Sequence, residues 1–404
     1  MSRCINNKNV KSSNRSTILM LLYCRGAMSR KELANITGLT PAAVSLLIGE
    51  MIEQNIVAEI REQAAGKKVG RREIMVDILR PTHVCIGVSL SVKNESQICL
   101  MDFRGQILMA RDLFLDPCET GEELADLLVA ELAEYKSFCE QHNLVLVGLG
   151  VSLRGIVNSV EGVWMDTYGV VAQKNVKFRD LLRERLRIPV VIEDNVRAMA
   201  GAEVLLSGGE TSGEILFVKY GPGLGAAMCI QNEVYNGANF KAAELGHTRI
   251  QMGEKNYGLE DLLSYTYICD QVKENFSAEA FPILYALLQD KKEELTIQHI
   301  LDSYEMGDPG AAKVIHECQR NILIGVYNAA CFFDPREIVF YGKAFELKRF
   351  CEDFWKQIEE SDELGEYKKS MRKSGFNTEF IGKEAATLAL RLFLENGGYV
   401  HTYP

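Results

Sequence analysis

The sequence predicts an α/β chain in which a small basic helical head precedes a larger acidic body made of two rounds of strands followed by helices. Three observations predict it. The charge changes sign near residue 80: residues 1–80 carry 13 Lys/Arg against 7 Asp/Glu, whereas the rest carry 32 against 48. Helix-period apolar residues and turn signals fill residues 16–57, and from His83 onward buried-strand runs alternate with amphipathic helices. At 404 residues the chain exceeds what one compact core holds, so more than one domain is expected.

Composition narrows the class. A chain that is 47% hydrophobic and 25% charged can bury a large core. No stretch approaches the ~20 apolar residues of a membrane span. The opening MSRCINNKNVKSSNRS lacks the apolar run of a signal peptide, so a cytoplasmic protein with no membrane partner is expected. The 11 cysteines are scattered without a CxxC or CxC pair, and they read as buried, reduced thiols. An acidic body repels a polyanion, so a nucleic acid would have to engage the first 80 residues.

The head carries the sharpest local signals. A short apolar helix over Ser16–Cys24 ends at Arg25-Gly26. Ser29, with Glu32 three residues on, forms a capping box that opens a helix through Thr37, with Leu33 and Ile36 facing inward. Gly38 supplies the positive φ that stops it. Thr40 then caps a second helix and Pro41 takes its first position, where a missing N–H costs nothing. Val44, Leu47, Ile48, Met51 and Ile52 form one apolar stripe, and Ala34 is small enough for two helices to cross closely. This is the spacing of a helix-turn-helix, with a plain helical hairpin as the alternative. The outward face offers Ala42, Ala43, Ser45, Leu46 and Gly49, small enough to enter a major groove, where Ser45 would reach base edges and Leu46 a thymine methyl; with Thr40 and Pro41 at the helix start, Ala42, Ser45 and Leu46 are the DNA-binding candidates. Strands at Val57–Glu62 and Glu73–Ile78 would form a wing. Its tip holds Lys67, Lys68, Arg71 and Arg72 for phosphate contacts; the alternative is a solvated linker.

In the body, Val84–Leu90, Ser96–Asp102 and Gln106–Met109 read as a meander turning at Asp102–Gly105. A helix over Thr120–His142 and buried strands at Leu144–Val151 and Val190–Glu193 follow. A second round runs from Glu214–Tyr220 through the glycine-rich Gly221–Met228, a helical region between Leu259 and Phe333, a strand at Ile338–Tyr341 and a last helix over Ala385–Glu395.

The ordered segments GLGVSLRGIVNSVEGV (Gly148–Val163), VIEDNVRAMAGAE (Val191–Glu203), VKYGPGLGAAM (Val218–Met228), AAELGH (Ala242–His247), FFDPREIVFYG (Phe332–Gly342) and GKEAATLAL (Gly382–Leu390) resemble those of the ROK (repressor, open reading frame, kinase) family. With a winged head in front, the likeness is to its repressor branch. The resemblance implies an α/β chain: an N-terminal winged helix-turn-helix, then a two-lobed actin-like ATPase (ribonuclease H-like) fold of sugar-kinase type. The implied domains are 1–80, then 81–193 with 382–404 as the first lobe, and 194–381 as the second.

Phosphoryl transfer needs a phosphate cradle and a base. The family's kinases end their first strand in Asp-x-Gly-Gly-Thr, where this chain has Ser89-Leu90-Ser91-Val92-Lys93. Their catalytic Asp follows an Asn; here the order is Asp194-Asn195, and an amide cannot accept a proton. The second glycine loop survives as Gly221, Gly223 and Gly225, but with Pro222 in place of a hydroxyl residue. No catalytic residue, cofactor or metal is therefore expected.

A sugar site is nonetheless implied. The resemblance assigns it to Glu244, His247 and Glu260, joined by Asp194, Asn195 and Gly155, because carboxylates and an imidazole can accept from adjacent hydroxyls. Relatives carry a cysteine-rich zinc loop after the His, whereas TRIQMGEKNYGLE has no cysteine and His247 alone cannot hold zinc. The expected function is a sequence-specific DNA-binding regulator, a repressor of carbohydrate genes, that senses a sugar without phosphorylating it. Its expected partners are double-stranded operator DNA, a sugar effector and its own copy in a homodimer or homotetramer. The rivals are a sugar kinase with an accessory head and a regulator answering to a protein.

Overall fold

The computed structural model describes residues 7–61, 74–91, 96–115, 118–207, 213–289, 291–376 and 382–399. Two compact units emerge, Met1–Glu210 with Glu379–Pro404, and Thr211–Thr378.

The head opens with α1 (Asn7–Arg25), β1 (Met28–Ser29), α2 (Arg30–Thr37) and α3 (Pro41–Glu53), followed by β2 (Val57–Arg61) and β3 (Ile74–Ile78). The capping box at Ser29 and Glu32 is present in both directions, Gly38 stops α2 at φ +71°, and Thr40 Oγ1 accepts the Ala43 N–H ahead of Pro41. The two helices turn through 119°, within the range of a helix-turn-helix. β3 pairs antiparallel with both β1 and β2, giving the stem of a wing. The basic positions Lys67, Lys68, Arg71 and Arg72 lie outside the described residues.

Two expectations about the head need correction. Helix α1 begins well before Ser16, because polar Arg15 is wholly buried and bonded inside the protein. Ile36 does not face inward: it is 47% exposed, two residues past buried Ala34 and so about 200° around the helix from it.

The first sheet is built from β4 (His83–Leu90), β5 (Ser96–Asp102), β6 (Ile107–Leu113), β7 (Val145–Leu153) and β10 (Val190–Asp194). Between these come α4 (Gly121–Gln141), a hairpin of β8 (Ile156–Asn158) and β9 (Val163–Asp166), and α5 (Phe178–Leu186); α6 (Asn195–Leu206) follows β10. The strand order is β10-β7-β4-β5-β6, with β4, β7 and β10 parallel and the meander antiparallel. Every residue of β4 is buried, as expected for a strand covered on both faces.

In the second unit, β11 (Ile215–Tyr220), β12 (Leu224–Ile230) and β13 (Glu233–Val234) form another meander. A hairpin of β14 (Arg249–Met252) and β15 (Lys255–Gly258) follows, then α7 (Tyr265–Glu274), α8 (Pro282–Leu288), α9 (Ile297–Glu305) and α10 (Pro309–Phe333). The unit ends with β16 (Glu337–Tyr341), α11 (Lys348–Glu360) and β17 (Met371–Lys373). Its sheet runs β13-β12-β11-β16-β17, with β11, β16 and β17 parallel. Strand for strand this repeats the first sheet: meander at one edge, two parallel strands added at the other.

The last described helix, α12 (Lys383–Glu395), returns to the first unit and lies on β4 and β7. Its backbone comes so close that a Cβ at Gly150 would sit 1.7 Å from the Ala385 carbonyl oxygen, and one at Gly87 2.2 Å from that of Gly382. One apolar cluster joins α1, α2 and α3 through Leu19, Leu33, Leu47 and Met51 to Cys85 and Met101 of the sheet and to Leu390 and Phe393 of α12. The head is thus not a separate bead. The expected break after residue 193 also moves, to 210, because α6 packs against α12.

Buried Cys85, Cys99, Cys139, Cys229 and Cys318 are free thiols, while Cys331 is exposed, against expectation. Among the described residues, no single helix is long and apolar enough to cross a membrane.

The close approach makes a clear stability test. Gly150→Ala should lower the unfolding free energy by about 3 kcal/mol, the upper range for overpacking. Gly49→Ala, in α3 with open space where its Cβ would go, should raise it by about 0.5–1 kcal/mol. Urea unfolding of both variants checks the pair.

Candidate functional site

On the head, the stripe of Val44, Leu47, Ile48 and Met51 holds α3 in the core, so its other face is turned outward. Thr40, Pro41, Ala42, Ser45 and Leu46 are all exposed there, Leu46 by 64%. A large apolar side chain on a small-residue surface costs solubility unless something covers it, and a thymine methyl is a matching apolar group. Thr40 spends its hydroxyl on the helix cap, so its role is to set where the helix begins.

In the first unit the sequence-assigned residues gather at the end of β10. Asp194 ends that strand and caps α6, its Oδ1 accepting the N–H groups of Val196 at 3.0 Å and Arg197 at 3.1 Å. Beneath it the buried Arg197 donates Nε to Glu193 Oε1 at 2.8 Å and Nη2 to the Val157 carbonyl at 2.9 Å, and Glu193 Oε1 also accepts the Asp194 N–H at 2.8 Å. This pair ties strand end, helix start and β8 together. Asn195, the first residue of α6, is half-buried. Gly155 turns the chain from β7 into β8 at φ +117°, where a Cβ would lie 2.0 Å from the Asp166 carbonyl oxygen. Asp194 is therefore a helix cap, with two backbone donors held on one carboxylate oxygen.

In the second unit Glu244, His247 and Glu260 come together on two short turns. Leu245, Leu259 and Leu262 are buried and pin the turns, leaving Glu244 and His247 exposed and Glu260 half-buried. Ala243, at φ 61°, carries a backbone conformation that side chains disfavour immediately before Glu244. Glu244 Oε2 lies 3.7 Å from His247 Nδ1. Glu260 reaches the same place because Gly223 and Gly246 lack side chains: a Cβ on Gly223 would fall 1.8 Å from Glu260 Oε1, and one on Gly246 3.1 Å from Glu260 Cβ. The acid–imidazole–acid set can accept from neighbouring hydroxyls of a polyol.

The segment after His247 is the β14–β15 hairpin, turned at Gly253 and closed by the Gly258 N–H on Asp261 Oδ2 at 2.9 Å. Cysteine-free and occupied by its own hairpin bonds, it does not fit zinc.

Two positions stand out that local sequence signals do not reveal. In the sequence Gly223 reads as a remnant of a phosphate loop, and in the structure its missing side chain is what admits Glu260. Glu384, at the start of α12, is wholly buried next to the Ser89 and Ser152 hydroxyls, and its Oε2 accepts the Gly382 N–H at 2.8 Å. Burial raises its carboxyl above the usual carboxylate range. It stands against the end of β4, where kinases of this fold would hold phosphate. The only sequence signal for either was the spacing of the motifs that contain them.

A model of the ROK family matches residues 85–373. A putative xylose repressor from Caldicellulosiruptor sp. (strain Rt8B.4) is 26% identical over 354 residues, covering 83% of this chain and 84% of that protein. The Escherichia coli (strain K12) DNA-binding transcriptional dual regulator NagC is 24% identical over 352 residues, covering 84% of this chain and 82% of that protein. Among solved structures, a ROK family transcriptional regulator homologous to the E. coli MLC protein superposes with a TM-score of 0.79 at 23% identity, over 96% of this chain and 98% of that one. A ROK family glucokinase from Streptomyces griseus, solved with glucose and AMPPNP, gives 0.62 at 21% identity, over 76% of this chain and 99% of the kinase. The family model spans well over half of the residues, and the chain belongs to the ROK family.

Proposed function

We propose that this protein is a sequence-specific DNA-binding transcriptional regulator, a repressor of carbohydrate genes, whose kinase-derived body binds a sugar without phosphorylating it. The carrying observation is the pairing of an exposed, groove-sized face on α3 with an acid–imidazole–acid set on a body whose phosphoryl-transfer groups are missing. Ser89 replaces the phosphate-loop acid, Asn195 stands where the base would be, Asp194 is committed to capping α6, and Glu384 places a buried carboxyl at the end of β4. The names of the repressor relatives agree with this reading. Two protomers, each presenting α3 and a basic wing, would grip a two-fold operator in the cytoplasm. Sugar binding would alter operator affinity to the extent that it favours one arrangement of the heads over the other.

Two measurements test it. Fluorescence anisotropy with a duplex selected by the protein from a random-sequence pool should show affinity falling steeply with salt. Replacing Arg71 and Arg72 with alanine should reduce the slope of log K against log salt by about 2, one unit per lost phosphate contact. An unchanged slope would remove the wing from the interface.

Calorimetry against xylose, glucose and N-acetylglucosamine should detect at least one binder, with no continuing heat when ATP is added. Gly223→Ala should push Glu260 aside and weaken that binding by about tenfold or more, the worth of a lost charged hydrogen bond. Undiminished affinity in this variant would rule Glu260 out of the site.

A further inference from the structure

Helix α12 does not stop at its own sheet. After Glu395 the chain passes through Gly397 and Gly398, at φ +68° and +79°, into the angle between α1 and the end of α3. Side chains would not fit there: a Cβ on Gly397 would meet the Ser12 carbonyl oxygen at 2.8 Å, and one on Gly398 would meet Ile56 Cδ1 at 2.8 Å. The Ser12 hydroxyl donates to the Asn396 carbonyl at 3.2 Å, so the tail is held from the start of the angle.

Arg15 fills the centre of this junction with no exposure to solvent. Its Nε donates to the Gly397 carbonyl at 2.7 Å, its Nη1 to the Tyr399 hydroxyl at 3.0 Å and its Nη2 to Gln54 Oε1 at 2.6 Å. The guanidinium also lies 4.1 Å from the centre of the Tyr399 ring and 3.8 Å from Glu50 Oε2, and Glu50 is held in turn by Lys11 at 2.7 Å. A buried cation is tolerated here because its donors are matched to acceptors and because α3 and α12 both end beside it, directing the negative ends of their backbone dipoles at the charge. Glu50 and Gln54 are one turn apart at the C-terminal end of α3, so the fork joins α1, the tail after α12 and the far end of the helix whose other end carries Pro41, Ala42, Ser45 and Leu46.

We propose that Arg15 and Tyr399 form a clasp that sets the tilt of α3, making them positioning residues for DNA reading and making the segment after α12 part of the reading head. Leverage is the reason. Helix α3 is about 20 Å long, so a tilt of about 10° around its clasped end carries the reading end about 3 Å. That displacement is far beyond the few tenths of an ångström over which a hydrogen bond to a base edge survives. Phosphate contacts from a mobile basic side chain tolerate such a shift; base contacts do not.

The inference rests on α3 being the DNA-reading helix, and the test separates the two ideas. The intact protein, Tyr399→Ala, Tyr399→Phe and Arg15→Lys are each titrated with two duplexes of equal length, one selected by the intact protein from a random-sequence pool and one unrelated. Tyr399→Ala and Arg15→Lys should lose about tenfold or more in affinity for the selected duplex while affinity for the unrelated duplex and both salt slopes stay as they were. Tyr399→Phe, which keeps the ring over Arg15, should lose only a few-fold. Equal losses on both duplexes would mean that the clasp merely keeps the head folded, and unchanged discrimination would mean that it does not position α3; either result overturns the proposal. Failure of the intact protein to select any sequence would instead overturn the DNA-reading role of the head.

Discussion

The contact on which the first unit depends is the backbone of α12 lying directly against β4 and β7. Gly87 and Gly150 make it possible, since any side chain at either position would occupy the space of an α12 carbonyl. With the helix set that low, Leu390, Phe393 and Leu394 reach the same buried cluster as the head's Leu22, Leu47 and Met51. The ring of Phe393 packs on His83 and Phe103 at the point where the chain leaves the head, and burial holds the His83 imidazole below its usual pKa, in the neutral form that suits an apolar site. A helical head that could have hung from a linker is instead continuous with the sheet.

At β10 and α6 the groups nearest a kinase's catalytic position serve structure: Asp194 caps a helix and Glu193 and Arg197 bind strand, helix and β8 together. At the end of β4, Glu384 places a carboxyl beside Ser89 and Ser152, and burial holds it toward its neutral form. In the second unit Glu244 lies beside His247, and Gly223 leaves the gap that Glu260 fills.

How much of this could be read beforehand follows the range of the forces involved. The Ser29 capping box, the Gly38 stop and the Thr40-Pro41 start are fixed by residues within a turn of one another, and each appears where local spacing put it. The two matching sheets follow from strand-length apolar runs. Arg15 marks the other extreme: as a cation in a polar stretch it reads as a solvated residue, and its burial is made favourable by Gln54 and Glu50 on another helix and by Gly397 and Tyr399 at the far end of the chain. Contacts between segments apart in the sequence likewise hide Glu384 beside Ser89 and Ser152, and Glu260 against Gly223. Ile36 failed differently, because an eight-residue helix gives too little periodicity to say which apolar residue faces in.

The central claim is that the head and the α12 layer are one cooperative body. Hydrogen exchange across a series of denaturant concentrations reads this directly, because amides that open together share one free energy and one denaturant dependence. The account predicts that the amides of Leu47 and Met51 in α3, Ile86 and Val88 in β4 and Leu390 in α12 converge on a common opening. If the α3 amides opened at a distinctly lower free energy while β4 and α12 stayed closed, the head would be an independent domain and the claim would be wrong.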